Sequence, residues 1–370
     1  MHVSPVRSIL ASASVSAVCA VMLLAGCKDD AQQTWPTQAP PQARLADTPV
    51  PQTDETVTYP AAGEEQPVAP EQAQPVPHES KGFRVVVTAS FSELPEGARI
   101  IAPSPRDRRY QKVSKSEHSG AAGAVMPADD NENLFFVSDP ISGPTATYTG
   151  SFEVVRRVGS PGTLQAAQGQ DFDGNAPPVG DVSTDAGVVA AAQALGAEKK
   201  QAYDELQAVM DAAIAIKPDA AGPATAAEAI AQKKANTLGL ARATVELLRL
   251  RGVPALVVQG IELGAVPSTV ETTHAWVDAN LPQLGWVPLD PEKRQGIDEV
   301  ASDARFRGML PIDRIDLAYG DSTVLPADGT FPETTLTGDL AAPMAVKDGA
   351  RVGKVTWSAK VEVLPEAAPE

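Results

Sequence analysis

Residues 238–251 are the segment around which the rest of the chain has to be arranged. Leu238, Ala241, Val245 and Leu248 fall on one helical face, while Leu240, Ala243, Leu247 and Leu250 fall on a second. A helix that is apolar on more than one side must be covered on more than one side, so this one belongs at the centre of a domain. Asn236 or Thr237 can cap its start, Gly252 suits a left-handed exit, and Pro254 prevents continuation. Beyond it the pattern becomes that of strands, at 255–259, 274–279 and 285–289. The last two are joined by Asn280-Leu281-Pro282-Gln283-Leu284, a hairpin-length loop. Further strands are expected at 315–319 and at 355–363, where Val355, Trp357, Ala359, Val361 and Val363 alternate with more polar positions. Ahead of the central helix, residues 188–195, 201–216 and 226–234 are rich in helix formers. Helices followed by a run of strands imply an α+β domain, a central helix packed on an antiparallel sheet.

A second folded region precedes this one. Phe83, Val85, Val87 and Ala89 alternate with polar positions, as do Tyr148, Phe152 and Val154, and residues 134–137 make a shorter apolar run. Gly, Pro and Asp punctuate these runs, which predicts a small antiparallel β-sandwich over 81–158. With 370 residues the chain has room for two domains and their linkers. The expected order is a leader at 1–27, a Pro/Gln-rich tether at 28–80, the sandwich at 81–158 and a Gly/Pro-rich connector at 159–185. The helix-and-sheet domain follows at 186–322, and a C-terminal β extension at 323–370.

The leader sets the expected compartment. A short start carrying Arg7 is followed by an apolar run over 9–24, the pattern of an export signal and too short for a lasting membrane span. It ends in Leu24-Ala25-Gly26-Cys27, which resembles the bacterial lipobox. The resemblance implies cleavage before Cys27, lipidation of its sulfur, and a mature protein anchored to the membrane of the bacterial envelope, at the periplasmic face or the cell surface. The tether, with Pro36, Pro40, Pro41 and seven further prolines, has too little apolar surface to offset its ordering entropy.

Charge narrows the function classes. The chain carries 30 Lys+Arg against 47 Asp+Glu, a net −17, with no basic block, so nucleic acid is not an expected partner. Its four histidines and two cysteines include no pair at ligand spacing, so no metal is expected, and no motif implies a cofactor.

His274 and Asp290 are the candidate chemical pair. His274 begins one strand and Asp290 ends the next, so folding about Pro282 would bring both to one end of the sheet. A histidine oriented by a carboxylate is the base of nucleophilic acyl transfer, where a cysteine at a helix start attacks. A surface histidine beside a turn aspartate fits the same two residues. Three blocks surround the pair: Leu247-Leu248-Arg249-Leu250-Arg251-Gly252-Val253-Pro254-Ala255, then His274-Ala275-Trp276-Val277, then Gly285-Trp286-Val287-Pro288-Leu289-Asp290-Pro291. In this order and spacing they resemble the transglutaminase-like domain of the papain-like superfamily. Leu94-Pro95-Glu96-Gly97 and Tyr110-Gln111-Lys112-Val113 look like the β domain that often precedes such cores in bacterial proteins.

The resemblance carries the family's histidine and aspartate onto His274 and Asp290. Its cysteine, seventeen positions before Pro254, falls on Thr237, and neither Asn236 nor Leu238 restores a thiol. Three readings of Thr237 follow: a helix cap in a domain whose catalysis is lost, one wall of a groove that still binds a peptide or polyamine, or a hydroxyl nucleophile driven by His274. Trp276 and Trp286 are expected in the core or the groove wall. The expected function is a binding or scaffolding module with a peptide or envelope-protein partner. The alternative is an amide-bond enzyme of transglutaminase or peptidase type, using Thr237 or another nucleophile with His274 and Asp290.

Overall fold

The computed structural model describes residues 80–108, 110–128, 132–157, 181–197, 202–281, 285–293, 314–327 and 332–365. The leader with Cys27, the tether through residue 79, connector residues 159–180 and the loop residues 282–284 lie outside the described residues. Six strands come first: β1 (Ser80–Ser92), β2 (Arg99–Ser104), β3 (Gln111–Gly120), β4 (Gly123–Pro127), β5 (Leu134–Ser138) and β6 (Ala146–Arg157). Helices α1 (Ala186–Ala194) and α2 (Ala202–Ile214) lead to β7 (Lys217–Pro218), α3 (Ala226–Gln232), β8 (Lys234–Ala235) and α4 (Thr237–Leu250). The chain then runs through β9 (Ala255–Glu262), β10 (Ser268–Val270), β11 (His274–Leu281), β12 (Gly285–Leu289) and β13 (Arg314–Tyr319). Five more strands close it: β14 (Ser322–Leu325), β15 (Thr334–Thr337), β16 (Met344–Lys347), β17 (Ala350–Arg351) and β18 (Lys354–Val363).

The fold is α+β, and α4 is covered on two sides as its sequence requires. Leu238, Ala241, Val245 and Leu248 pack with Val257, Val277, Ala279 and Leu289 of the antiparallel sheet β12-β11-β9-β13. Leu240 and Ala243 pack the other way, against Ile216, Ala229 and Ala235. The helix ends as expected, with Gly252 at φ 79°. Burying one leucine contributes about 2 kcal/mol, so each face of α4 adds several kcal/mol in order of magnitude.

The antiparallel sandwich expected over 81–158 extends beyond those bounds: its two five-stranded sheets are β10-β18-β1-β6-β3 and β17-β16-β2-β5-β4, with β10 coming from within the helix-and-sheet region. Residues 323–370, read as a C-terminal extension, supply β16, β17 and β18 to these sheets. β18 pairs with β1 from Ser92↔Lys354 to Phe83↔Val363, so the two ends of the described chain meet side by side. β2 is buried at every position because its faces serve two cores: Ile100 and Ala102 point into the sandwich, and Ile101 packs with Leu336 and Met344.

A polar seam joins the sandwich to the back of the β12-β11-β9-β13 sheet. Arg156 lies 2.9 Å from the Asp316 carboxylate, while the Gln111 side chain accepts from Asp316 N–H and donates to its carbonyl, both at 3.0 Å. Asn133 pairs likewise with both backbone groups of Tyr319, at 2.7 Å. Asp278 faces this seam. Burial, aided by the nearby Asp316 charge, pushes its carboxyl up to about 7.

Candidate active-site cleft

Thr237 is placed by the start of α4. The cap is Asn236, whose side-chain oxygen accepts from Gly239 N–H at 2.8 Å. Gly239 lets the first turn press against the chain before it, since a Cβ there would sit 2.1 Å from the Pro223 carbonyl oxygen. Thr237 is therefore the first helical residue, and its hydroxyl is turned to β11. It accepts from Ala275 N–H at 2.9 Å and donates to the Ala275 carbonyl at 3.0 Å. It also stands 3.0 Å from His274 Nδ1. The cap reading of Thr237 gives way to this: its oxygen is engaged by β11, and the residue before it caps the helix.

His274 opens β11, which pairs with β12 in the register Val277↔Leu289, and Asp290 follows β12. The expected hairpin thus brings both to one sheet end, with His274 Nε2 at 2.8 Å from Asp290 Oδ2. Asp290 is fully buried. Burial alone would raise its carboxyl, but Arg314 first and His274 second outweigh it and hold the group at about 2. Arg314 Nη1 lies 2.5 Å from Oδ2, and the N–H groups of Glu292 and Lys293 donate to Oδ1 at 3.1 and 3.2 Å. An ionised Asp290 can only accept, so the proton between it and the ring sits on Nε2. In the neutral ring Nδ1 is then an acceptor aimed at Thr237.

This has a chemical consequence. Thr237 has one proton and two acceptors competing for it, the Ala275 carbonyl and His274 Nδ1. With the ring protonated on both nitrogens, Nδ1 would donate to Oγ1, which would then accept two hydrogen bonds and donate one. Glu292 Oε2 sits 3.7 Å from Nδ1 on the same side.

Thr237, His274 and Glu292 open onto a cleft of about 730 Å³. It is also lined by Asp219, Glu262, Glu271 and Asp339, and by Trp357 from β18. Trp276 is fully buried with Leu256 and Val258, and the half-buried Trp286 packs against them, so Trp276 lies in the core, Trp286 at its edge, and neither lines the cleft. Arg314, Glu292, Glu271 and Trp357 escape a reading of the sequence alone. Glu292 had the one usable signal, its place two positions after Asp290.

Residues 189–291 match the family model described as the transglutaminase-like superfamily. No curated protein matches the chain. Among solved structures the chain resembles a candidate cysteine protease of Cytophaga hutchinsonii, with a TM-score of 0.53 and 12% identity over 79% of this chain and 94% of that one. At that identity the likeness is one of fold. A periplasmic domain of TgpA from Pseudomonas aeruginosa, bound to ethylmercury, aligns over 58% of this chain and 91% of its own at 16% identity and a TM-score of 0.29.

Proposed function

The chain carries a transglutaminase-like domain, and we propose that this domain is a binding module of the bacterial envelope, holding a peptide or protein segment in its cleft without turning it over. The observation that carries this reading is the engagement of Thr237 Oγ1 by both backbone groups of Ala275. A nucleophile must be free to give its proton to the base. Here the Ala275 carbonyl competes with His274 Nδ1 for the one proton of this hydroxyl. A hydroxyl is also a far weaker acid than a thiol, and threonine nucleophiles are typically driven by their own terminal amine, which internal Thr237 lacks.

One observation favours a second reading, an amide-bond enzyme. Thr237, His274 and Asp290 stand in the order of a nucleophile, base and orienting acid, at 3.0 and 2.8 Å. Release of product from glutamine-containing and peptide substrates separates the two. No turnover above the Thr237→Ala and His274→Ala variants is expected. Turnover abolished by both substitutions would establish the enzyme instead.

The anchor belongs to the same proposal and rests on the lipobox-like Leu24–Cys27 run. Several acyl chains hold a protein at a bilayer where one is marginal. The mature protein should partition into the detergent phase and the Cys27→Ala variant into the aqueous phase. Equal partition of the two would remove the anchor from the proposal.

A further inference from the structure

The geometry points to the kind of segment the cleft takes: an extended basic peptide that adds as a strand to the free edge of β18 and places a lysine or arginine against Trp357. This rests on the binding reading above and names its ligand class. The edge comes first. On one side β18 pairs with β1 along residues 354–363, but on the other it pairs only with β10, over Val361, Lys360 and Ala359. Among the described residues no strand takes the outer edge of residues 354–358. The chain that leaves β10 at Val270 swings away through Glu271, Thr272 and Thr273, which line the cleft. Among the described residues these partner positions are open beside the site. Unpaired edges of this sort are where extended peptides add, with backbone hydrogen bonds giving affinity and alternate side chains giving specificity.

The face of that edge is apolar and only partly covered. Val355 and Trp357 lie opposite Phe91 and Ala89, on the side of the sheet that faces the sandwich core. Yet Val355 is 40% exposed, and Trp357, packed on the rim of the core, lines the cleft. In a ladder, the peptide side chain opposite Trp357 projects on that same face.

Charge then selects the side chain. Five carboxylates line the cleft, and among its lining residues there is no Lys or Arg. Lys293 and Arg314 engage Glu262, and Lys234 lies 3.5 Å from Asp219. Arg351 lies beside Asp339, donating to its backbone carbonyl at 2.8 Å, while among the described residues Glu271 and Glu292 have no such ion pair with a lysine or arginine. An indole face beside carboxylates with no lysine or arginine among the lining residues suits a cation on an apolar stem. A five-residue strand along residues 354–358 would be about 17 Å long.

The test uses the mature protein and a fluorescein-labelled octapeptide of alternating threonine and lysine, followed by anisotropy at low salt. It should bind at least about tenfold more tightly than its threonine–glutamate counterpart, and weaken as salt rises through the screening range. Glu271→Gln, at an exposed position, and Trp357→Leu should each weaken it at least about threefold. N-methylation of alternate peptide nitrogens should abolish binding. Equal affinity for the lysine and glutamate peptides, or no binding of either, overturns the inference. So does full affinity after N-methylation, or displacement of the peptide by spermidine at equal charge concentration, because a free polyamine needs no strand edge. Cleavage or acyl transfer on the lysine peptide, with selectivity kept, upholds the ligand class and sinks only the non-catalytic reading.

Discussion

Thr237→Cys should turn the cleft into a low-pKa thiol site. The substituted sulfur would sit at the first residue of α4 and about where Oγ1 now stands, 3.0 Å from His274 Nδ1. A helix start and a potential imidazolium commonly bring a cysteine from about 8.5 into the range of about 3.5–7.5. At pH 6 a thiol of pKa about 6 is half ionised, against about 0.3% for an ordinary one, a gain of more than a hundredfold in thiolate. Nucleophilicity falls as the pKa falls, with a Brønsted slope of about 0.4–0.5, and that returns roughly tenfold. The net expectation is iodoacetamide labelling roughly tenfold faster at pH 6 than at a control cysteine, measured in a Cys27→Ala background. Val182, 51% exposed and outside the cleft, gives that control as Val182→Cys. Adding His274→Ala should move the labelling midpoint up by at least about one unit, as for a lost charge partner. A midpoint near 8.5 that ignores His274→Ala would mean that the pair does not act on this position.

The same variant bears on function. If the domain is a binding module because its nucleophile is a hydroxyl held by Ala275, the rest of the acyl-transfer arrangement should respond once a thiol is supplied. Sulfur is a weak donor and acceptor, so a cysteine would leave the Ala275 N–H and carbonyl poorly met. Thr237 therefore does structural work at this position that a thiol would do less well.

The parts of this site visible in the sequence are those held by local pattern. The two apolar stripes of α4, its exit at Gly252 and the hairpin joining β11 to β12 are each encoded within about fifteen residues. They suffice to bring His274 to Asp290. Two good capping residues in a row, Asn236 and Thr237, left the cap undecided, and the choice is made by a strand 37 positions later that takes the Thr237 hydroxyl. Arg314 gave no signal: a lone cation at the edge of an apolar strand looks like a solvated residue, and only burial on Asp290 explains it. β18 read clearly as a strand, yet its partner could not be read. The neighbours Thr88 and Ser358 are 270 positions apart, and pairing across such a separation leaves no trace in alternation. The Trp357 wall of the cleft was hidden for that reason.

Arg314→Met should be the most destabilising single change at the site, and its cost should depend on pH. Arg314 and Asp290 are both fully buried, 2.5 Å apart. Removing one member of such a pair leaves a buried charge without compensation and costs about 3–5 kcal/mol. In the native protein the carboxyl stands at about 2 against an ordinary 3.8. A depressed acid contributes stability that is present above its unfolded value and lost as pH falls through its folded one. Here that is about 2 kcal/mol, full above about pH 5 and fading towards pH 2. Without Arg314 the opposition to burial is mostly gone, so the carboxyl rises and takes up a proton sooner. The deficit measured by urea unfolding should therefore be largest near neutrality and shrink as pH drops below about 5. Arg314→Lys, which keeps a charge but not the planar fork, should recover part of it. A loss of the same size at every pH would assign Arg314 to packing against Trp276, whose ring lies 5.6 Å from the guanidinium carbon, and not to holding the acid that orients His274.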